Sequence, residues 1–197
     1  MEMLTSRVPS KMTLKVGIAT EGRASADVLE AICEKSGVLC RARFSEGKPK
    51  LFNDFDKILG FLRNGSFRAN KFLVVPDLHP ETDCVEESTR WNERIRVRFP
   101  PARLCLAIWE TESWLLSDPE SLKGHLGLGV DHPMQDYVGE PQPSVRLNDL
   151  FRQAKGYGRG AAFDKRTDGV SIVSQIDLQV ASKNSPSLSR FIALLRE

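Results

Sequence analysis

Short apolar runs alternate with amphipathic segments through the first 118 residues of the chain. Dense apolar runs bounded by turn residues predict buried strands, and apolar residues at helical spacing predict the helices between them. This alternation indicates a central, mainly parallel sheet of about four strands flanked by helices. The predicted strands cover residues 14–19, 39–44, 71–75 and 103–108, and the predicted helices cover residues 24–33, 51–62 and 86–97.

The C-terminal part of the chain has a different texture. Glycine and proline are frequent over residues 124–143, which predicts mostly loop. Helical spacing resumes over residues 144–155 and in two helices near the C-terminus,. We therefore expect residues 119–197 to form a loop and helical appendage packed on an α/β core of residues 13–118, within a single domain. Residues 1–12 have no apolar stretch of the kind found in signal peptides, and we expect a disordered tail there.

Composition narrows the class of protein without naming a function. The chain has 197 residues, of which 41% are hydrophobic and 27% charged, as in ordinary globular domains,. The net charge of +2 is too small to argue for nucleic-acid binding by itself,. The four cysteines form no CxxC pair, and Cys33 and Cys105 lie in apolar patterns typical of buried thiols in a reducing cytoplasm,. No apolar run reaches the roughly 20 residues of a membrane span, so we expect a cytoplasmic protein.

Acidic residues follow three of the predicted strands. Glu21 comes after the first, Asp77 after the third, and Glu110 and Glu112 after the fourth. Parallel strands end at one edge of a sheet, so these carboxylates should converge. A single acid in such a place is more often a helix cap or a solvated side chain. Several together are unfavourable without a cation, and Mg²⁺ prefers oxygen ligands, so the pattern favours a metal site.

Three motifs together resemble the TOPRIM-type proteins. They are Glu21-Gly22 after the first strand, Asp77 after the third, and residues 107–118, which read AIWETESWLLSD. The chain is most similar to a compact stand-alone TOPRIM-like family known as a domain of unknown function. The resemblance implies a Rossmann-like fold. Further matching positions are Tyr157, residues 163–165, residues 176–178 and residues 187–191.

This resemblance implies phosphodiester chemistry on nucleic acid. It gives Glu21 an acid/base or metal-binding role, and it gives Asp77 the first position of a DxD motif that holds Mg²⁺. The second position of that motif is His79 here. Histidine is a poor ligand for Mg²⁺ but an acceptable one for Mn²⁺ or Zn²⁺. Asp83 and Glu81 are the nearest carboxylates that could replace the missing aspartate.

The remaining site candidates also depend on the resemblance. Glu112 lies in the best-matching segment and is the first choice as a ligand, with Glu110 in reserve. Lys165 is expected either to stabilise developing phosphoryl charge or to be an ordinary surface lysine. Trp109 and Trp114 flank an apolar run, so we expect core anchors and not base-stacking platforms.

Basic residues are the candidates for contacts with nucleic acid. Arg90 and Arg94 share a predicted helix with other arginines, and Arg159 lies in a glycine-rich basic loop,. Glutamates are interleaved among the arginines of that helix, which favours the alternative of a solvated helix face.

Two functional hypotheses remain open on the sequence. The first is a Mg²⁺- or Mn²⁺-dependent nuclease, or a related phosphoryl-transfer protein, in a bacterial phage-defence or mobile-element locus. That locus is implied by the resemblance alone. The second is a non-catalytic TOPRIM-like module that binds a partner protein, such as an ATPase, or binds nucleic acid without cutting it. The histidine at position 79 favours the second hypothesis.

Overall fold

A four-stranded parallel sheet forms the centre of the protein. The computed structural model describes residues 13–129, 131–134, 140–156 and 162–197. The strands are β1 (Lys15–Thr20), β2 (Leu39–Phe44), β3 (Lys71–Val75), β4 (Asp77–Leu78), β5 (Ala102–Leu104) and β6 (Ala107–Ile108). The main sheet has the order β2-β1-β3-β5, and every neighbouring pair in it is parallel. The predicted α/β class with about four parallel strands is confirmed.

Helices cover both faces of this sheet. The helices that alternate with the strands are α1 (Arg23–Lys35), α2 (Lys48–Asn64) and α3 (Cys84–Arg98). The remaining helices are α4 (Glu112–Leu115), α5 (Pro119–Leu126), α6 (Pro143–Lys155), α7 (Thr167–Gln175), α8 (Leu178–Asn184) and α9 (Pro186–Arg196).

Alternation along the strands divides the buried side chains between two cores. Val16 and Ile18 of β1 point to the face that α1 and the C-terminal helices cover, whereas Ala19 points to the face that α2 and α3 cover. Successive side chains of a strand face opposite sides of the sheet, which explains this division. Trp114 and Phe191 belong to the first core, so the C-terminal helices and α1 bury their apolar faces together.

The predicted fourth strand is wrong in its extent. Residues 103–108 form two short strands, of which β5 extends the main sheet and β6 pairs with β4 in a separate two-stranded sheet. The break lies opposite Pro76, which has no N–H to continue the ladder. The carbonyl of Pro76 accepts the N–H of Ala107 at 3.0 Å, and this bond starts the second sheet.

The C-terminal region contains more helix than the sequence predicts. Helix α5 extends into the expected loop and ends at Gly127, whose φ of +66° suits glycine,. In place of two terminal helices there are three, because the Asp177 side chain accepts the N–H groups of Gln179 and Val180 and so begins α8,. Among the described residues, no helix is both long and apolar enough to cross a membrane.

Candidate functional site

Glu21 and Asp77 lie side by side at the carboxyl edge of the main sheet. They follow β1 and β3, which are paired strands with Thr20 opposite Val75. The Thr20 hydroxyl donates to the Val75 carbonyl at 2.8 Å and fixes the two strand ends together. Oε1 of Glu21 then accepts the backbone N–H of Asp77 at 3.0 Å.

The small second sheet brings the next acidic segment to the same place. Asp77 pairs with Ala107, so the chain leaves β6 beside the Asp77 side chain. Oδ1 of Asp77 accepts the backbone N–H of Thr111 at 3.1 Å. This bond joins the two segments that carry the predicted acids.

Glu112 is the first residue of α4 and is 5% exposed. Its Oε2 atom lies 2.7 Å from Nζ of Lys165 and accepts the Thr111 hydroxyl at 3.3 Å. Lys165 lies in the turn before α7, where Oδ1 of Asp164 accepts the N–H groups of Arg166 and Thr167. The acids Glu21, Asp77, Glu110 and Glu112 form an acidic cluster. The structure thus brings Lys165 to this cluster from far along the chain.

Asp77 has the most perturbed carboxyl group of the cluster. Burial raises its pKa to about 7, and the neighbouring charges of Glu21, Glu112 and Glu110 act in the same direction,. The positive charge of Lys165 partly opposes this rise. A carboxyl that exchanges its proton near neutral pH, with other carboxylates close to it, is a favourable place for a cation or for proton transfer.

Glu21 is perturbed in the same direction. Burial raises its pKa, while the N–H of Asp77 and the charges of Lys48, His79 and Lys165 lower it. These charges identify the basic groups near Glu21. His79 is exposed at this edge, and its charge lowers the pKa of Glu21, so the two side chains lie near each other.

Lys48 is a site residue that the sequence did not reveal. It is the first residue of α2, and its Nζ lies 2.8 Å from Oε1 of Glu87. Glu87 is 4% exposed, and the same oxygen accepts Nε1–H of Trp91 at 3.0 Å. A buried acid thus holds a lysine beside Glu21. The only sequence signal was its position just after a strand, at the same edge as the acids.

The reserve candidates have other contacts. Oε2 of Glu110 accepts the N–H of Ser144, in the first turn of α6, at 3.3 Å. Asp83 is the N-cap of α3, and its Oδ1 accepts the N–H groups of Val85 and Glu86. Glu81 is exposed. Of these three, Glu110 contributes to the raised pKa of Asp77 through its negative charge.

The two tryptophans differ from each other. Trp114 is fully buried and donates Nε1–H to the Ser187 hydroxyl at 2.8 Å, so it anchors the core. Trp109 is half-buried, has a φ of +67°, and its buried Nε1 has no partner among the described residues. A left-handed conformation is costly for a large residue, by about 1–3 kcal/mol. The left-handed conformation of Trp109 turns the chain sharply between β6 and the Glu110–Glu112 segment.

Two of the arginines predicted to contact nucleic acid have partners within the protein, and one of them, Arg90, lies 3.6 Å from Glu87, the acid that also holds Lys48. Arg90 and Arg94 stack on Phe52 of α2, with each guanidinium carbon within 5 Å of the ring centroid. Arg94 also donates to the Phe52 carbonyl and to Oδ1 of Asn53. These contacts join α3 to α2. Arg159, like Tyr157, is outside the described residues.

Comparison with known proteins identifies a family. The family model of the domain of unknown function DUF4276 matches residues 20–196. The chain belongs to this family. No curated protein and no solved structure matches it. The match to DUF4276 includes every residue of the cluster, from Glu21 to Lys165, but the family description assigns no activity.

The donor set in this DUF4276 chain suits a hard divalent cation in part. Among the described residues, no three His, Cys, Asp or Glu side chains are already arranged as a metal site. Glu112 is bound by Lys165, which leaves Glu21 and Asp77, joined by the bond from the Asp77 N–H to Oε1 of Glu21, as the candidate oxygen donors. Mg²⁺ is often held by one or two carboxylates, with water and substrate phosphate as its other ligands. Burial is the main cause of the raised pKa of Asp77, and the negative charges of Glu21, Glu112 and Glu110, which raise it further, are those that such an ion would neutralise.

Proposed function

We propose that the chain is a divalent-metal-dependent nuclease, or a related phosphoryl-transfer protein, whose active site is the carboxylate and lysine cluster. The observation that carries this proposal is Asp77, a carboxyl whose pKa burial raises to about 7, with the charges of Glu21, Glu112 and Glu110 raising it further and that of Lys165 lowering it. Such a concentration of acids at the carboxyl edge of a parallel sheet lowers the stability of the folded state. Function is the simplest reason for that cost.

Each residue of the cluster has a role in this proposal. Glu21 and Asp77 would hold Mg²⁺ or Mn²⁺, which when bound activates water and neutralises the scissile phosphate. Glu21 would act either as such a ligand or as the base that accepts a proton from the attacking water. Lys165 contributes positive charge to the phosphoryl group, and Glu112 orients Lys165 through their ion pair,. Lys48 adds a second cation near Glu21.

The resemblance to TOPRIM proteins supports the same chemistry. Glu21 and Asp77 occupy the positions that the resemblance assigns to the first acid and to the DxD motif. His79, in the second DxD position, favours Mn²⁺ over Mg²⁺ if it becomes a ligand. We infer the phage-defence or mobile-element context from the resemblance alone.

The test is cleavage of nucleic acid with and without metal. The purified protein is incubated with plasmid, single-stranded DNA and RNA in Mg²⁺, in Mn²⁺ and in EDTA. We expect cleavage that requires metal. Glu21→Gln should lower the rate about 10²- to 10⁴-fold, the usual contribution of an acid/base group.

A matched control distinguishes cleavage at the proposed site from cleavage by a contaminating nuclease. It also shows whether the removal of one negative charge has an effect by itself. Glu93→Gln removes an exposed acid of α3, and it should cleave like the wild type. Equal cleavage by Glu21→Gln and the wild type would refute the assignment of the site. Cleavage in EDTA would refute the metal requirement.

A second function has specific support. Glu112 is already paired with Lys165, the described residues contain no ready group of three ligands, and the second DxD position is a histidine. These observations favour a module that binds nucleic acid or a partner protein, such as an ATPase, without cutting. Stable binding of nucleic acid by the wild type, with no cleavage in either metal, would support this function over the first.

A further inference from the structure

A groove runs along the exposed edge of the sheet, between β2 and α2. Helix α2 buries Leu51, Phe55, Leu59 and Leu62 under the sheet, and its outer side leaves β2 open. Two adjoining cavities of about 500 Å³ and 260 Å³ lie there, and Arg43 and Phe61 line both. The two cavities therefore form one continuous groove.

The two arginines of this groove follow from the alternation along β2, whereas Phe44, which has the parity of Ala42, lines the groove at the end of the strand. Ala42 is buried in the core on the α1 side. Arg41 and Arg43 are exposed and line the opposite side, which faces α2. Lys57 of α2 adds a third cation, paired with Asp54 at 2.7 Å. No acidic side chain lines either cavity, among the residues that the structure describes.

The two arginines are available to a ligand. Within the described parts of the chain, neither Arg41 nor Arg43 forms an ion pair. The guanidinium carbon of Arg43 lies 4.7 Å from the centroid of the Phe61 ring. This stacking holds the cation in place without neutralising it.

Exposed aromatic rings accompany these cations. Phe61 is 58% exposed and Phe44 is 40% exposed, and both line the groove. Large apolar rings in water are unfavourable unless something covers them. Rings beside unpaired arginines match the chemistry of an unpaired nucleotide strand, whose bases stack on aromatic groups while its phosphates bind cations.

The groove leads to the carboxylate cluster. The end of the groove at the carboxyl edge of the sheet is formed by Phe44, the last residue of β2. The next residues cross to β1, where the N–H of Ser45 bonds to the carbonyl of Thr20 and the N–H of Gly47 bonds to the carbonyl of Glu21. Lys48 follows immediately and lies beside the Glu21 carboxylate.

We propose that this groove binds single-stranded nucleic acid and delivers it to the carboxylate cluster. The proposal deepens the proposed function. Binding in the groove stands by itself, and only the delivery to the carboxylate cluster rests on the proposed function. A duplex would not fit the same contacts, because its bases are stacked on one another and cannot reach Phe44 and Phe61. An alternative occupant is a second copy of the chain on the open edge of β2. Two arginines that form no ion pair with the described residues favour a polyanion over this nearly neutral chain.

The test is binding, measured without catalysis. Fluorescence anisotropy is followed for a labelled single-stranded oligonucleotide and for the corresponding duplex, in EDTA, over a series of salt concentrations. We expect tighter binding of the single strand. Phe61→Leu keeps the apolar character but removes the aromatic face, and it should weaken binding about 5- to 100-fold, whereas Phe61→Trp should retain it.

Substitution of the cation tests the interaction with phosphate. Arg43→Gln should reduce the slope of log K against log salt by about 0.7 for each phosphate that the variant no longer neutralises. The matched controls are Arg96→Gln and Val97→Ala, an exposed cation and an exposed apolar residue of α3. Both should bind like the wild type.

The outcomes separate the groove from the proposed function. Three results would overturn the proposal that the groove binds a single strand, even if cleavage is observed. They are unchanged binding by Phe61→Leu and Arg43→Gln, equal affinity for duplex, and no binding at all. Groove-dependent binding without cleavage would support the groove and count against the nuclease. A concentration-dependent dimer in sedimentation that Phe61→Leu abolishes, without an effect on oligonucleotide binding, would assign the groove to a second copy and overturn the proposal.

Discussion

Nζ of Lys165 lies 2.7 Å from Oε2 of Glu112, in an ion pair that joins the turn before α7 to the first turn of α4. Glu112 is 5% exposed, so the pair is largely removed from water. A buried charge must be paired or it destabilises the fold. The pair therefore fixes the C-terminal region against the acidic edge of the sheet, and it places a cation near Asp77.

Removal of Lys165 should destabilise the protein because Glu112 would then have no partner for its charge. We expect Lys165→Ala to lower the free energy of unfolding by roughly 2–3 kcal/mol, near the lower end for buried pairs. The Glu112→Gln/Lys165→Ala double variant should be less destabilised, since it leaves no buried charge. Urea unfolding measures both. Lys155→Ala is the control, because its pair with Asp168 is 3.7 Å long and exposed, and it should cost under about 1 kcal/mol,. Equal destabilisation by the Lys165 and Lys155 substitutions would contradict this account.

The raised pKa of Asp77 predicts a dependence of stability on pH. The folded state holds the Asp77 proton up to about pH 7, whereas the unfolded chain releases it near pH 4,. Stability should therefore fall as pH rises from about 4 to about 7, in metal-free buffer. Asp77→Asn cannot ionise and can still accept the N–H of Thr111. This variant should be more stable than the wild type at pH 8, by roughly 2–4 kcal/mol, and similar at pH 4.

Thermal unfolding across this pH range measures the difference. A parallel pH dependence in the wild type and in Asp77→Asn would show that Asp77 ionises normally, and it would remove the main electrostatic argument for the site.

The sequence predicted the acidic edge and, through the family resemblance, Lys165 and His79, but it did not predict Lys48. Glu21 and Asp77 follow dense apolar strands, and the geometry of a parallel sheet is enough to bring them together. Lys48 was missed because its position depends on Glu87, a buried partner from another helix. The break between β5 and β6 was missed because it depends on Pro76, which separates β3 from β4 in the neighbouring segment. Local patterns reveal strands and their ends, but they do not reveal contacts between distant segments.

Close packing under β1 should make Gly17 intolerant of a side chain. A Cβ at this position would lie 3.0 Å from Cβ of Ala69 and 3.2 Å from Cβ of Leu62. Gly17→Ala should therefore cost about 1–3 kcal/mol in stability. Gly60→Ala in α2 meets no atom within 4 Å and should stabilise the protein by about 0.5–1 kcal/mol,. Effects of the same sign and size in urea unfolding would contradict the packing described for β1.

Lys48 should matter for cleavage through its charge. We expect Lys48→Gln to lower kcat/KM about 10- to 100-fold, the value of one charge-assisted contact, and Lys48→Arg to retain most of it. Lys50→Gln, in the same turn and 57% exposed, is the control and should have no effect. Full activity of Lys48→Gln would limit the role of Lys48 to its ion pair with Glu87.

Binding of Mn²⁺ is the measurement that tests the central claim most directly. The electron paramagnetic resonance signal of free Mn²⁺ is followed during titration with the wild type, with Asp77→Asn and with the control Glu93→Gln. The account predicts that the wild type and Glu93→Gln bind the ion, more tightly as pH rises through about 7, and that Asp77→Asn binds at least about tenfold more weakly,. No binding by the wild type, or equal binding by all three proteins, would contradict a metal site at Glu21 and Asp77.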